Sequence, residues 1–181
     1  MQLKGFTKRG RPLGMNDDYV VESIDWKGSD GDLAREIRVE VFVLEQGVPL
    51  SEELDETDPV AHHVLAFDAA RNPCGTARLF PDASDGTMAH IGRMAVVGRA
   101  RGNGCGRAIM SALMAEARQR GFLRVELSAQ IHAIGFYARF GFVVVSGEYL
   151  DCDIPHRTMQ ASLSHGLAGS TTVEDVSVPS G

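Results

Sequence analysis

The chain has 181 residues, 44% of them hydrophobic and 23% charged, which is enough for one domain with a real core and excludes a wholly disordered chain. A net charge of −6, from 18 Lys and Arg against 24 Asp and Glu, is the wrong sign for holding a nucleic-acid backbone, so no nucleic-acid partner is expected. Glycine alone is out of line, with 20 residues against a usual share of about 7%.

Residues 1–17 contain Gly5, Gly10, Arg11-Pro12 and Gly14 without an apolar period and read as a mobile leader, with Met15 as an alternative start. The basic residues Lys4, Lys8, Arg9 and Arg11 lead into no apolar stretch, so this is not a secretory signal. Tyr19 to Ile24 is β-prone. Ser29 or Asp30 can cap a helix whose apolar positions Leu33, Ile37, Val41 and Leu44 recur at helical spacing, closed by Gly47 and Pro49. His63 to Phe67 and Gly75 to Phe80 flank the Arg71-Asn72-Pro73 turn as a hairpin, and Ile91 to Val97 is a further strand.

After that strand come Gly98, Gly102, Gly104 and Gly106, then a helix from Ala108 to Arg120 with Ile109, Leu113 and Ala117 on one face and Gly121 at its end. Arg124 to Ala129 alternates as a strand, burying Val125, Leu127 and Ala129. Ala133 to Phe140 is a short helix ended by Gly141. Phe142 to Val145 and a segment near Thr158-Met159 finish the sheet. The implied architecture is one α/β domain over 18–161, a mixed sheet of about six to seven strands with helices on both faces. Residues 162–181, eleven of them Ser, Thr, Gly or Pro, read as a disordered tail.

Cys74, Cys105 and Cys152 are too few and too far apart for a disulfide framework or a zinc site, so no metal is expected. No apolar run approaches the ~20 residues of a membrane span. The cytoplasm is the default compartment, and a homodimer is compatible with all of this.

The stretch Arg99-Ala100-Arg101-Gly102-Asn103-Gly104-Cys105-Gly106-Arg107 joins a strand directly to a helix. Glycines let successive backbone N–H groups converge, and the helix N-terminus adds its dipole, which together suit a phosphate-type anion. From Gly86 to Ala115 there is no acidic residue, while Arg93, Arg99, Arg101 and Arg107 supply positive charge. A P-loop would need Lys followed by a hydroxyl residue, and a dinucleotide fingerprint would need glycine where Ile109 stands. Both fail.

Arg101 to Gly106 does fit Arg-x-x-Gly-x-Gly after an apolar strand, and here the sequence resembles the GNAT superfamily of acetyl-CoA-dependent N-acetyltransferases. Ile91-Gly92-Arg93-Met94-Ala95-Val96 looks like that family's central strand, and Phe136-Tyr137-Ala138-Arg139-Phe140-Gly141-Phe142 like its Tyr-x-x-x-Gly-Phe segment. The resemblance covers Tyr19 to Met159. Glu45-Gln46-Gly47-Val48-Pro49, Ala129-Gln130-Ile131-His132-Ala133 and Ile154-Pro155-His156 resemble a compact bacterial subgroup of undefined acceptor.

By this resemblance, acetyl-CoA is the co-substrate. The backbone of Met94, Ala95 and Val96 would pair with its pantetheine arm, and the amides of Gly102, Asn103, Gly104, Cys105, Gly106 and Arg107 would hold its pyrophosphate with support from Arg101. Gln130 stands where many relatives carry Asn and would make the same contact. In such folds two strands splay apart, commonly at a bulge, to admit the arm.

Acetyl transfer to an amine needs a neutral nucleophile, a polarised carbonyl and a proton for the leaving thiolate. A backbone N–H near Met94 suits the carbonyl, and Tyr137 is placed by the motif as general acid. Glu45 is the first choice of base and His156 the second, with Glu126 and His132 behind them. From Glu45 to Asp58 the acids Glu45, Glu52, Glu53, Asp55, Glu56 and Asp58 stand without Lys or Arg, which would favour a cationic acceptor, whether a small amine or a protein amino group. A solvated acidic loop is the alternative.

Two rivals stand beside this. Arg38-Val39-Glu40-Val41-Phe42-Val43 with the following Glu45-Gln46-Gly47 and Asp55-Glu56-x-Asp58 also resembles the front of acyl-homoserine-lactone synthases, although the intact glycine loop is expected for CoA rather than for an acyl-carrier protein. The other rival is a non-catalytic acyl-CoA-binding module. Cys105, at a helix N-terminus among arginines, would have a lowered thiol pKa and could form a mixed disulfide with CoA, or else it simply fills space.

Overall fold

The computed structural model describes residues 18–163; the expected leader at 1–17, the alternative start at Met15 and the tail beyond Leu163 lie outside them. In chain order the first elements are β1 (Tyr19–Ile24), α1 (Ser29–Arg38), a π-helical segment (Val39–Glu45), α2 (Leu50–Glu53), β2 (His62–Asp68), β3 (Pro73–Pro81) and β4 (Met88–Val96). A 3-10 turn at Gly98–Ala100 leads to α3 (Cys105–Gln119) and β5 (Arg124–Gln130). A second 3-10 turn at Ile131–Ala133 leads to α4 (Ile134–Ala138), β6 (Val143–Val144), β7 (Tyr149–Asp151) and β8 (Ile154–Ser162).

The eight strands form one sheet in the order β1-β2-β3-β4-β5-β8-β6, with β7 also on β8. All neighbours are antiparallel except β4 and β5, which run parallel. A parallel step needs a crossover, and α3 supplies it. The mixed α/β architecture is the expected one, with β7 as the added strand. Its turn to β8 is the pair Cys152 and Asp153, both at positive φ (48° and 62°), a hairpin geometry usually signalled by Asn or Gly. Among the described residues no helix is long and apolar enough to cross a membrane.

Successive β3 residues serve opposite faces. Gly75 takes α3, so closely that a Cβ there would lie 2.8 Å from Ile109 and 3.0 Å from the Ala95 carbonyl. Arg78, three residues on, shares Asp58 with Arg38 of α1. Helices therefore cover both faces. Ile109, Leu113 and Ala117 are buried as their spacing predicted, together with Met110 and Met114.

Several boundaries depart from expectation. The first helix gives way at Val39 to a π-helical segment, whose wider turn rotates the apolar stripe away from the core, so Val41 is buried while Leu44 is 75% exposed. Its N-cap is Gly28, with no side-chain cap from Ser29 or Asp30. The last strand runs through Ser162, and Leu163 is buried with its amide bonded to the Leu123 carbonyl, so ordered structure continues two residues past the expected domain end.

Candidate active site

β4 and β5 pair only from Met88 to His90 against Arg124 to Glu126. Beyond His90 the strands diverge, and the edge of β4 that faces β5 has no strand partner. The cause lies on the other side of β4: Thr76 pairs with Ala95 and Arg78 with Gly92, so three steps on β4 oppose two on β3. This is a bulge, and bulges bend and twist the strand that carries them. The extra residue sends Arg93 to the α1 face, where it joins Arg78 on Asp55. Met94 goes to the opposite face, where its sulfur accepts a bond from the Tyr137 hydroxyl at 3.7 Å.

The gap opens into a cavity of about 1070 Å³, large for a small-molecule site. One wall is Ile91, Gly92, Arg93, Met94 and Val96 of β4, with Ala95 buried behind it, and the other is Leu127, Ser128 and Gln130 of β5. The glycine loop closes one end. Gly102 and Gly104 hold φ of 77° and 98°, a conformation that strains any other residue. Gly104 is also the N-cap of α3 and offers no side-chain cap. The first amides of a 15-residue helix are thus left for an anion.

The loop's arginines have divided duties. Arg99 donates to the Pro73 carbonyl, Arg101 to the Val96 carbonyl and to Glu45, and Arg93 is committed to the α2 side. Arg107 lines the cavity with no ion pair among the described residues. Asn103 also lines it, its side chain reaching the Arg99 carbonyl at 3.4 Å. Cys105 does not line it: the residue is fully buried, with its sulfur 3.5 Å from that of Cys74. That contact and burial push the Cys105 thiol up, opposite to the helix-terminus expectation. A mixed disulfide with CoA is therefore not favoured here, and only the backbone of Cys105 belongs to the loop.

Tyr137 of α4 lines the cavity, packed edge-on against Phe136 and Phe142. Burial pushes its phenol up to about 12, and a thioether is a weak acceptor, so the hydroxyl keeps its proton without being tied to a strong partner. His156 of β8 also lines the cavity and is 8% exposed. Its Nδ1 lies 2.8 Å from the Ile154 carbonyl. A carbonyl only accepts, which puts the proton on Nδ1 and leaves Nε2 as the free base of the neutral ring.

Glu45, the carboxylate expected first as base, is not in the cavity wall; its carboxylate is held at 2.5 Å by Arg101. Glu126 is likewise elsewhere, bonded to Gln160, while His132 lies in the wall. Gln130 donates to Gln46 at 2.9 Å, joining β5 to the end of the π-helical segment. The acidic stretch is largely neutralised. Glu53, Asp55 and Asp58 pair with Arg38, Arg78 and Arg93. Burial pushes Asp55 upward, but bonds from Arg78 outweigh it and bring the group down to about 2. Of the six acids, only Glu52 lines the cavity without an ion pair among the described residues, and Asp151 of β7 joins it there. Phe42, Val48, Asp151 and Cys152 are wall residues without a local signal: Phe42 lies in the π-helical segment and Val48 just after it, Asp151 ends β7 and Cys152 begins its turn.

Comparison with known proteins agrees with this geometry. Residues 30–163 match the family model described as Acetyltransferase (GNAT) domain. The chain belongs to the GNAT acetyltransferase family. An uncharacterized N-acetyltransferase of Bacillus subtilis strain 168, YjcF, is 38% identical over 124 residues, 68% of this chain and 86% of that protein. The crystal structure of an acyl-CoA N-acyltransferase from Pseudomonas aeruginosa is 34% identical, with a TM-score of 0.66 over 80% of this chain and 98% of that one. BjaI, a CoA-dependent acyl-homoserine lactone synthase solved with SAM and isopentyl-CoA, shares the fold alone, at 17% identity and a TM-score of 0.65 over 81% of this chain and 84% of that one.

The acetyltransferase's cavity fits an acyl-CoA. An unpaired strand edge suits an extended amide-bearing arm, and uncapped helix amides with Arg107 suit phosphates. The loop and the strand gap meet in one continuous wall.

Proposed function

We propose that this protein transfers the acetyl group of acetyl-CoA to a primary amine by direct attack within the cavity between β4 and β5. The observation that carries this is the presence in one cavity wall of a protonated phenol with no strong acceptor, Tyr137, and an imidazole with a free Nε2, His156. When bound, acetyl-CoA supplies an activated thioester. The backbone amides of Gly102 to Arg107 hold its phosphates, and the free edge of β4 around Met94, Ala95 and Val96 orients the arm. Nε2 of His156 takes the proton from the attacking amine, a role that passes to it from Glu45 because Glu45 is engaged by Arg101 outside the wall. The hydroxyl of Tyr137 donates to the leaving sulfur. A phenol held at about 12 stays protonated throughout the working pH range.

The acceptor is a small amine or a protein amino group. Support for a cationic one now rests on Glu52 and Asp151 rather than on the whole acidic stretch.

Thiol release across a panel of primary amines, with S-adenosylmethionine included, tests this reading. Tyr137→Phe is expected to lower kcat by about 10²–10⁴ while the calorimetric Kd for acetyl-CoA stays within a factor of two or so, since the phenol makes no phosphate contact. An unchanged rate retires the general-acid role. Release with S-adenosylmethionine alone would move the assignment to lactone synthesis, and tight acetyl-CoA binding without release on any amine would make the protein a binder.

A further inference from the structure

Arg93 sits in the β4 bulge at φ 50°, a left-handed conformation that a residue with a side chain holds only when its surroundings enforce it. Its partners are unusual in number. Nε donates to the Glu53 carbonyl and faces the Glu53 carboxylate, both at 3.0 Å. Its second terminal nitrogen donates to the Glu52 carbonyl at 2.9 Å and to Asp55 at 3.1 Å. The side chain is 28% exposed and lines the cavity.

Charge balance alone does not call for this. Glu53 is already held by Arg38, and Asp55 by two bonds of 2.6 Å from Arg78. What Arg93 adds is a rigid connection from the bulge to the main chain of α2, the element whose Glu52 and Glu53 form the opposite part of the wall. The bulge in turn decides which face Met94 occupies, because a one-residue slip reverses every side chain beyond it. Met94 on its present face is the contact of the Tyr137 hydroxyl, and it lies 3.2 Å from where a Cβ on Gly106 would stand at the start of α3.

We propose that Arg93 is a positioning residue for acyl transfer: its guanidinium, locked onto α2 and Asp55, holds the β4 bulge in the register that presents Met94, and through it Tyr137, to the cavity. The proposal rests on the transfer reaction argued above. It assigns Arg93 no contact with acyl-CoA or acceptor. Lysine at this position keeps the charge but has no fork with which to reach two carbonyls and two carboxylates at once.

The test compares wild type with Arg93→Lys and Arg93→Ala by amine-dependent thiol release, acetyl-CoA calorimetry, thermal unfolding and ¹³C-methyl methionine spectra, with Met94 assigned through Met94→Leu. In Arg93→Ala, kcat is expected to fall about 10²-fold, the usual cost of misplacing a site by an ångström, while acetyl-CoA affinity changes far less. The Met94 methyl resonance is expected to move, and added methylguanidine to restore part of both the rate and the resonance. Arg93→Lys is expected to lie between the two. A folded Arg93→Ala with an unmoved Met94 resonance and an unchanged rate overturns the proposal, as does a loss of rate explained wholly by a lowered melting temperature and untouched by methylguanidine. If the wild type acts on no amine, the transfer reading fails by itself. The Met94 resonance in the two variants, with and without methylguanidine, then still decides whether Arg93 holds the bulge.

Discussion

Two sets of arginines, much alike in the sequence, have opposite fates in the fold. Arg38, Arg78 and Arg93 converge on Glu53, Asp55 and Asp58 in a largely buried cluster beneath α1 and α2. Arg99, Arg101 and Arg107 stay exposed on the glycine loop, two of them bonded to main-chain carbonyls and the third without an ion pair among the described residues. A buried charge must be matched at once and by several partners, because unmatched it carries its full desolvation cost. An exposed charge is left available for a ligand. The basic stretch and the acidic stretch are therefore not two poles of one field. Part of each builds the buried cluster, and of the charges left without an ion pair among the described residues Arg107 and Glu52 face the cavity.

The largest effect should come from breaking the buried set. Arg38→Met removes a guanidinium that is 1% exposed and that serves Glu53, Asp58 and the Glu53 carbonyl. Breaking a buried ion pair from one side costs about 3–5 kcal/mol, read as a drop in the urea midpoint. The protein's single tryptophan is a built-in reporter, since Trp26 stacks on His63 at 4.2 Å and lies 5.0 Å beneath the Arg38 guanidinium. A loss below about 1 kcal/mol, the size of a surface pair, would mean that the two sets do not differ as described.

Acid should strike the same cluster next. The folded-state value of Asp55 lies near 2 against an ordinary 3.8, and that of Asp58 is lowered too. Groups depressed in this way stabilise the fold fully above their unfolded value and stop doing so as the pH falls through the folded one. Stability is expected to hold above about pH 4 and to decline towards pH 2. Asp55→Asn should flatten that decline while lowering stability at neutral pH. An equally steep decline in Asp55→Asn would place the sensitive carboxylate elsewhere.

Much of this fold is legible in the residues alone, and the gaps have specific causes. The hairpin of β2 and β3 follows from Arg71-Asn72-Pro73 between two apolar runs, and the face of α3 follows from Ile109, Leu113 and Ala117. Its start at Cys105 precedes the expected Ala108, because Gly106 looks like a loop residue. Gly106 instead belongs to the helix, where a larger side chain would press on Met94 and Phe136. A bulge is expected from the family resemblance, but its position is illegible because its left-handed residue is an arginine. The ion cluster is illegible because its partners lie 15 to 40 residues apart in the chain, and a local count of charge sees only half of each pair. The glycine loop is legible from local spacing and Tyr137 only through the family resemblance, whereas the engagement of Glu45 depends on a contact with Arg101, 56 residues away.

The smallest expected effects belong to the exposed set, and two substitutions there should act in opposite directions. Arg107→Ala removes the loop cation that has no ion pair among the described residues, so acetyl-CoA affinity should weaken by about tenfold, equivalent to about 1.4 kcal/mol. Its salt dependence should shrink too, because fewer charges remain to be screened. Glu45→Gln removes the carboxylate that holds Arg101 at 2.5 Å. That carboxylate competes with a phosphate for the same guanidinium, and an exposed pair is worth about 0–1 kcal/mol. Acetyl-CoA should therefore bind somewhat more tightly, by up to about fivefold, with an unchanged melting temperature. Calorimetry at two salt concentrations reads both variants. Weaker binding in Glu45→Gln would mean that the pair holds Arg101 in place for the ligand instead of competing with it, and the exposed set would then resemble the buried one.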